Sequence, residues 1–417
     1  MSLNWKDINA VLGRSENKYK FYNGCYDFED PSRGQLADEI RISRVGWGKR
    51  AVEMRGNKTH FDRFENDALG LTQLLKEYKA FDAFNKVKDD TLVAGCGFLA
   101  IVDDRVMPFT AREATGTFDW REQRLKRGVA VFNNQTEKFG TALNYEPASY
   151  VVFTPDATEI HEGPKVTILQ NNTGRPLMTL LTHHATTMRP FGHSVLTTPA
   201  RNAIVDASRT LRQAMIAAHY YNVKVDVLLG VDNSTSVDTV KMRTGDALKV
   251  GTNEAGQIPQ IGQFAQHAMT PFSDTMTIAA RNFCADTKLS LANLGISSDA
   301  PQSPEALEIV GDDLRDDIAE WHSELGEELK QLAVTIFMKE NNISVIDENL
   351  KELIEQIVPV FKPIYRGDFS KVGDALVKIG QVAPEALKSR SVWRNLGLTS
   401  EEIDNVIGSL ATQNVLQ

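Results

Sequence analysis

Residues 199–221 read PARNAIVDASRTLRQAMIAAHYY, and the architecture of the chain turns on them. Ala200, Ala203, Ile204, Ala207, Leu211, Ala214, Met215 and Ala218 recur at steps of three and four, the spacing of one helical face. About 22 residues rising ~1.5 Å each predict a helix of about 33 Å. The next stretch, 222–264, changes texture, with β-like runs such as VKVDVLL alternating with Gly, Asn, Ser and Thr. That punctuation predicts a small β-containing module. Helix resumes at Thr270, a suitable N-cap followed by Pro271, and the pattern carries it to Leu294, where Gly295 stops it. Two long helices therefore enclose an inserted β module.

Working outward, residues 1–90 read as mostly helical, with Leu69, Leu71, Leu74, Leu75 and Tyr78 on one helical face. From Thr91 to about Leu181 the apolar residues fall into short runs (TLVAGCGFLAIV, GVAVF, SYVVFTP, KVTILQ). Asp103-Asp104, Asn133-Asn134 and Asn171-Asn172-Thr173-Gly174 separate them, as in an antiparallel meander. Beyond the second helix, ISSDAPQS at 296–303 is a short polar loop. Ser303 as N-cap and Pro304 at the first helical position launch a third helix towards Met338, about 52 Å for ~35 residues, with Gly311 and Gly326 as points of bending. From Asp347 the tail is helical in short pieces, broken at Pro359, Pro363, Gly367, Gly380 and Gly397, and Thr399 to Glu402 forms a capping box. The fold class expected is α+β. No period of 20–50 residues repeats, which speaks against a solenoid.

Length and composition set outer bounds. The 417 residues suffice for two or three domains, and 42% hydrophobic with 24% charged is ordinary for a chain that buries a core. No apolar run approaches the ~18 residues of a membrane span, and the first residues lack the apolar region of a secretory signal. Cys25, Cys96 and Cys284 stand far apart with no CxxC pair, which argues for a reducing interior and against a disulfide framework or zinc site. The net charge of −9 argues against gripping nucleic acid over the whole surface, because such grip rests on surplus Lys and Arg.

Candidate chemistry is sparse. Gly95-Cys96-Gly97-Phe98-Leu99-Ala100 satisfies GxGxxA, but Ile101 and Val102 continue a strand where the dinucleotide motif needs a helix. Close packing or a bulge is the expected reason for those glycines. No GxxxxGK[ST] occurs, so no phosphate-driven motor is encoded. His183-His184 and His193 invite a metal reading, yet adjacent residues of a strand point to opposite faces, and no carboxylate cluster lies beside them in sequence. The expectation is therefore no metal, no cofactor and no enzyme.

The run from Glu305 to Glu328 holds Glu305, Glu308, Asp312, Asp313, Asp316, Asp317, Glu320, Glu324, Glu327 and Glu328. It reads as a solvated helical face, as a metal-binding carboxylate cluster, or as a negative surface past which DNA slides without sticking. A metal enzyme built on this run would carry stoichiometric divalent metal.

Segment order and five local stretches resemble the portal proteins of tailed bacteriophages, the siphophage type in particular. Tyr19–Tyr26 (YKFYNGCY in context) is similar to the early tyrosine-rich helix of that family, and Asp90–Val102 to the strand entered through a Gly-x-x-Phe element. Arg189-Pro190-Phe191-Gly192-His193-Ser194 is similar to the element that opens the stem, and LGISSDAPQSPEAL at 294–307 to the segment before the longest helix. Gly373–Ile403 resembles the helical end of one portal subgroup.

The resemblance implies a homo-oligomeric ring, twelve subunits in capsids, with double-stranded DNA in its channel. It implies a wing over 1–196, stem helices at 197–222 and 267–294, and a clip at 223–266. A tunnel loop at 295–304, a long wing helix at 305–344 and a crown at 345–417 complete the chain. Ser297, Ser298, Asp299, Gln302 and Ser303 would face DNA, and Lys241, Arg243 and Lys249 of the clip would meet partners. The implied partners are the terminase, the head–tail connector or adaptor and the major capsid protein, with no membrane. The implied place is a capsid vertex of the virion, after assembly in the host bacterial cytoplasm. The alternative reading is another virion structural or adaptor protein that binds partners through helical surfaces.

Overall fold

Both helices expected around the β module are present in the computed structural model, which describes residues 15–28, 43–132, 149–220, 226–229, 260–263, 268–296, 311–364, 376–381, 386–387, 389–395, 398 and 402–408. The chain divides into a larger unit (Met1–Tyr26, Gly46–Thr198 and Thr287–Gln417) and a smaller one (Asp27–Val45 and Pro199–Asp286). After a helix over 15–22, the larger unit holds α1 (Trp47–Gly56), β1 (Phe61–Glu65), α2 (Leu71–Glu77) and α3 (Ala80–Ala94). Eight strands follow: β2 (Cys96–Val102), β3 (Arg105–Thr110), β4 (Ala114–Asp119), β5 (Arg124–Phe132), β6 (Ser149–Phe153), β7 (Ala157–Glu162), β8 (Lys165–Gln170) and β9 (Met178–Thr182). The smaller unit contributes α4 (Thr198–Tyr220), β10 (Asp226–Leu229), β11 (Gln260–Gln263) and α5 (Thr270–Thr287). The larger unit resumes with α6 (Asp312–Glu340), α7 (Glu348–Gln356), β12 (Val358–Phe361), α8 (Arg390–Asn395) and a helix over 402–408.

The apolar run at Cys96–Ile101 is buried throughout, because β2 is the middle strand of an antiparallel sheet ordered β3-β2-β9. Pro108 sits in β3, at the edge, where the missing N–H breaks no ladder bond. A second sheet, ordered β4-β5-β6-β7-β8, is an antiparallel meander in sequence order. The expected single meander is thus two sheets, and it starts later than expected, since Thr91–Ala94 finish α3.

Two strands lie outside the stretches expected to hold β structure. β1 lies inside the stretch read as helical, and it pairs with β12, which carries Pro359. Proline argues against a central strand, but β12 has β1 as its partner in a two-stranded sheet and needs few donors. Gly326 does not break α6. A Cβ there would lie 2.5 Å from Pro359 Cγ, so the glycine lets the helix approach β12. Phe61 meets Phe64 and Phe361 at ring distances of 5.0 and 5.5 Å, and His322 stacks on Phe361 at 4.3 Å, joining β1, β12 and α6 in one core.

In the smaller unit, Ala200, Ala203, Ile204 and Ala207 are buried as the helical stripe predicts, while Met215 and Ala218 are exposed and Arg212 is buried instead. Ser208 Oγ donates to Ile204 O at 2.9 Å and accepts from Val45 N at 3.3 Å. β10 and β11 pair antiparallel, so a β element does stand between the two helices. α5 ends at Thr287 and not near Leu294, because Lys288 turns to φ 53°. A short 3-10 turn at Leu291–Leu294, capped by the Ser290 side chain, then ends on Gly295 at φ 77°, the stop that was expected. The start of the third helix expected at Ser303-Pro304 lies outside the described residues, where α6 is first seen at Asp312.

The GxGxxA glycines are packing devices. Gly95 closes α3 at φ 102°, and a Cβ on Gly97 would sit 2.5 Å from Thr91 Oγ1 and 2.7 Å from Val87 Cγ2. Gly192, at φ 67°, brings a returning loop so near that a Cβ would be 2.4 Å from Gly95 O and 2.6 Å from His183 O. Side chains can shift and backbone carbonyls cannot. Gly97→Ala is expected to lower unfolding free energy by about 1–3 kcal/mol, and Gly192→Ala by more than about 3 kcal/mol. Urea titration of the two variants would contradict this packing if the losses came out in the reverse order.

Candidate functional site

Titratable side chains from distant parts of the chain come together where β9 ends. Its ladder continues one step past Thr182, with His183 N donating to Gly95 O at 3.0 Å. His184 then adopts φ 51°, which takes it out of strand geometry. The chain turns through a Thr186–Arg189 bridge whose tip exposes Met188, and returns with His193 N donating to His183 O at 2.7 Å. Ser194 Oγ donates to Val93 O at 2.6 Å and Val195 N to Leu92 O at 3.0 Å, tying the return to the end of α3.

This geometry overturns one premise of the sequence reading. Because His184 leaves the strand, the two rings do not point to opposite faces, and their centroids are 4.3 Å apart. A carboxylate also joins them, for ligand atoms of His183, His184 and Asp317 lie within 4.8 Å of one another. Asp317 arrives from α6, 133 residues from His184, so sequence proximity could not reveal it.

The cluster is built as an ion-pair centre. Arg55 Nε and Nη2 donate to Asp317 Oδ2 at 2.9 and 2.8 Å, Lys288 Nζ to Oδ1 at 2.6 Å, and His184 Nε2 to Oδ1 at 3.0 Å. Arg55 is buried and also holds Ala51 O and Thr287 O. Burial alone would raise the Asp317 pKa, but the His184 hydrogen bond with the Arg55 and Lys288 charges holds it below the usual carboxylate range. The same bond to Asp317 raises His184. A divalent ion would have to displace Lys288 and sit beside Arg55, so this donor set suits an anion held among cations better than a metal.

His183 behaves differently. Its Nδ1 faces His193 O at 2.7 Å, and a carbonyl only accepts, so that nitrogen carries the proton. Its Nε2 is buried with no hydrogen-bond partner among the described residues. Burial, helped by His184, pushes its pKa down to about 3. His322, buried against Phe361 with Nε2 3.1 Å from Thr59 Oγ1, is pushed down to about 4 by burial first and then by His60 and Lys88.

The acidic run divides between two faces of α6. Asp313, Asp316, Glu320 and Glu327 are exposed, whereas Asp317, Glu324 and Glu328 turn towards the β9 loop. Glu324 accepts from His184 N at 2.8 Å, and Glu328 accepts from Thr182 N at 3.0 Å and from the Thr182 hydroxyl. Trp321, on the same face, donates to Thr182 O at 2.8 Å. Burial raises the pKa of both glutamates. A solvated face is thus half of the description, and the other half is a set of acceptors for backbone donors left over where β9 ends. Beside them lies a cavity of about 420 Å³, lined among others by Glu324, Glu328, Thr182, Arg124, Arg175 and Trp120. Burial, with Arg124 nearby, brings Arg175 down to about 10.

The residues singled out in sequence for DNA contact, Ser297, Ser298, Asp299, Gln302 and Ser303, lie outside the described residues, as do Lys241, Arg243 and Lys249. Arg55 and Lys288 were not singled out, and nothing in their local sequence marks them. Asp317 does carry a signal, since it falls in the apolar stripe of Leu314, Ile318, Trp321 and Leu325, where a carboxylate must find partners.

No family model matches the sequence, and no curated protein matches it. Among solved structures, the chain is similar to one from the neck of a native GTA particle computed with C12 symmetry, at 14% identity over 95% of this chain and 99% of that one, TM-score 0.45. It is similar to one from the neck of an empty GTA particle computed with C6 symmetry, at 14% identity over 90% and 94%, TM-score 0.47. A third likeness is to a chain of the virion of a native gene transfer agent particle, at 12% identity over 94% and 99%, TM-score 0.44. At these scores the likenesses assign neither fold nor function.

The ion cluster and the buried histidines each carry a prediction. Asp317→Asn strands a buried guanidinium and is expected to cost about 3–5 kcal/mol, while Lys288→Met, at a side chain 46% exposed, costs under about 1 kcal/mol. Equal losses in urea unfolding would contradict a buried Arg55–Asp317 core to the cluster.

The second concerns acid. From pH 6.5 down to about 4 the unfolded chain binds protons that folded His183 and His322 refuse, so stability falls as pH falls. His184 adds no slope in this window, because its raised pKa gives stability that is complete below 6.5 and is lost as pH rises through the folded value. Replacing His322 with Gln should remove about 1 kcal/mol per pH unit from the acid slope between pH 6 and 5. An unchanged slope would show that the His322 ring is not one of the groups refusing the proton.

Proposed function

We propose that this chain is the subunit of a phage-type portal, a ring at one capsid vertex through which DNA is packaged, retained and ejected. The observation that carries the reading is the state of the two helices around the β10–β11 pair. The halves of α4 and α5 far from that pair bury Ala203, Ile204, Ala207, Ala280 and Phe283, while the halves next to it bury Ala217 but leave Met215 and Ile278 exposed, with Met269 exposed just before α5. Bare apolar positions on two helices that flank an inserted β element suit helices covered by neighbouring subunits. The sequence resemblance supplies the ring, and the net charge of −9 suits a conduit that must not trap DNA.

In this reading α4 and α5 are the stem and residues 223–266 the clip, with Lys241, Arg243 and Lys249 placed to meet the terminase or the head–tail connector. The tunnel loop at 295–304 presents Ser297, Ser298, Asp299, Gln302 and Ser303 to the DNA backbone. The larger unit up to Phe361, without the tunnel loop, is the wing, which meets the major capsid protein. Because β12 pairs with β1, residues up to Phe361 go with the wing, and the crown is left to the chain beyond.

Negative-stain electron microscopy with mass photometry of the purified chain tests the proposal. Rings with a central pore, at close to twelve times the subunit mass, are expected. Discrete dimers or solid globular particles would overturn it.

A further inference from the structure

The five-stranded sheet has two edges of opposite character. At one edge lies β8, paired on one side with β7 and on the other with nothing among the described residues. Val166, Ile168 and Leu169 on it are 48%, 57% and 45% exposed. Its register with β7 runs without a bulge, it has no proline, and Lys165 is its one charge. These are the devices by which a monomer protects a strand edge, and all but the lysine are missing.

The opposite edge is the β4–β5 hairpin. Its turn exposes Trp120, 51% accessible and packed edge-on against Phe118 at 5.3 Å. Residues 119–128 set Arg121, Arg124, Lys126 and Arg127 against Asp119 and Glu122, a net charge of +2. On the β7–β8 side, residues 156–165 set Asp156, Glu159 and Glu162 against Lys165, a net charge of −2. Glu122 is engaged by Arg124 at 3.2 Å, which leaves Arg121, Lys126 and Arg127 without an ion pair among the described residues.

We infer that β8 of one copy of this chain docks on the β4–β5 hairpin of the next copy. Val166 and Ile168, which share one face of β8, would cover Trp120, and Glu159 and Glu162 would face Arg121 and Arg127. The two surfaces are different and stand at opposite ends of one sheet, so each copy offers one to each neighbour. A contact of this heterologous kind closes into a ring when the rotation per subunit divides a full turn. The inference rests on the ring reading and names the surface that would make it.

Mass photometry and negative-stain microscopy of four samples test it. Wild type is expected to form rings. Ile168→Glu is expected to give monomers with unchanged circular dichroism and urea midpoint, since the side chain is exposed. Glu159→Arg/Glu162→Arg and Arg121→Glu/Arg127→Glu are each expected to raise the concentration for assembly at least tenfold, and an equimolar mixture of the two is expected to form rings again, because each variant's altered edge then meets a complementary one. Wild-type rings that persist in Ile168→Glu, or a mixture no better than its components, would overturn this interface and leave the ring reading standing. A wild type that stays monomeric would overturn both.

Discussion

A carboxylate inside a protein core is tolerated only when its charge is matched, and Asp317 shows what that requirement does to a fold. Its partners come from three separate stretches of chain: Arg55 in α1, His184 after β9 and Lys288 after α5. Arg55 also holds Thr287 O, the last residue of α5. The point where the chain re-enters the larger unit is therefore held by the same centre that holds the end of β9. The other crossing is held by backbone means, since Ser194 and Val195 bond to Val93 and Leu92 at the end of α3 just before α4 begins. Within the larger unit, the residues at which the chain leaves and returns are thus each hydrogen-bonded to a neighbouring element.

The close approach of the backbones beneath this centre depends on the absence of three side chains. Gly95, Gly97 and Gly192 let α3, β2 and the returning loop come within contact distances that a Cβ would forbid. His183 is caught in that contact, its N–H and C=O paired to Gly95 and His193 and its ring held by a carbonyl. This explains why two adjacent histidines carry opposite pKa shifts. One ring is enclosed by the packed backbones and resists a proton, while the other projects one residue further and gains a carboxylate.

Elements governed by local periodicity were legible in the sequence. The stripe from Ala200 to Ala207, the strand from Cys96 and the stop at Gly295 all follow from spacing or backbone freedom within a few residues. What was not legible depended on partners far away. β12 is a strand because β1 lies beside it, about 300 residues earlier, and Pro359 hid it from a local reading. The end of α5 moved to Thr287 because Arg55 and Asp317 claim its terminal carbonyl and the lysine that follows. The meeting of the two histidine rings rests on a positive φ at a non-glycine residue, which periodicity does not encode, and their carboxylate comes from 133 residues away.

The acidic helix joins these levels. Ten carboxylates between Glu305 and Glu328 read from sequence as one surface, but α6 is long enough to have several faces, and the i, i+4 spacing sorts the charges among them. Asp317, Glu324 and Glu328, with Trp321 between them, occupy the face that meets the end of β9, where they accept what a terminating strand leaves unpaired. Asp313, Asp316, Glu320 and Glu327 keep the outward face, so the negative surface a DNA conduit would present is thinner here than the composition suggests. Repulsion of DNA in a conduit would then have to come from charge summed around many subunits, which is a property of an assembly and cannot be supplied by one helix.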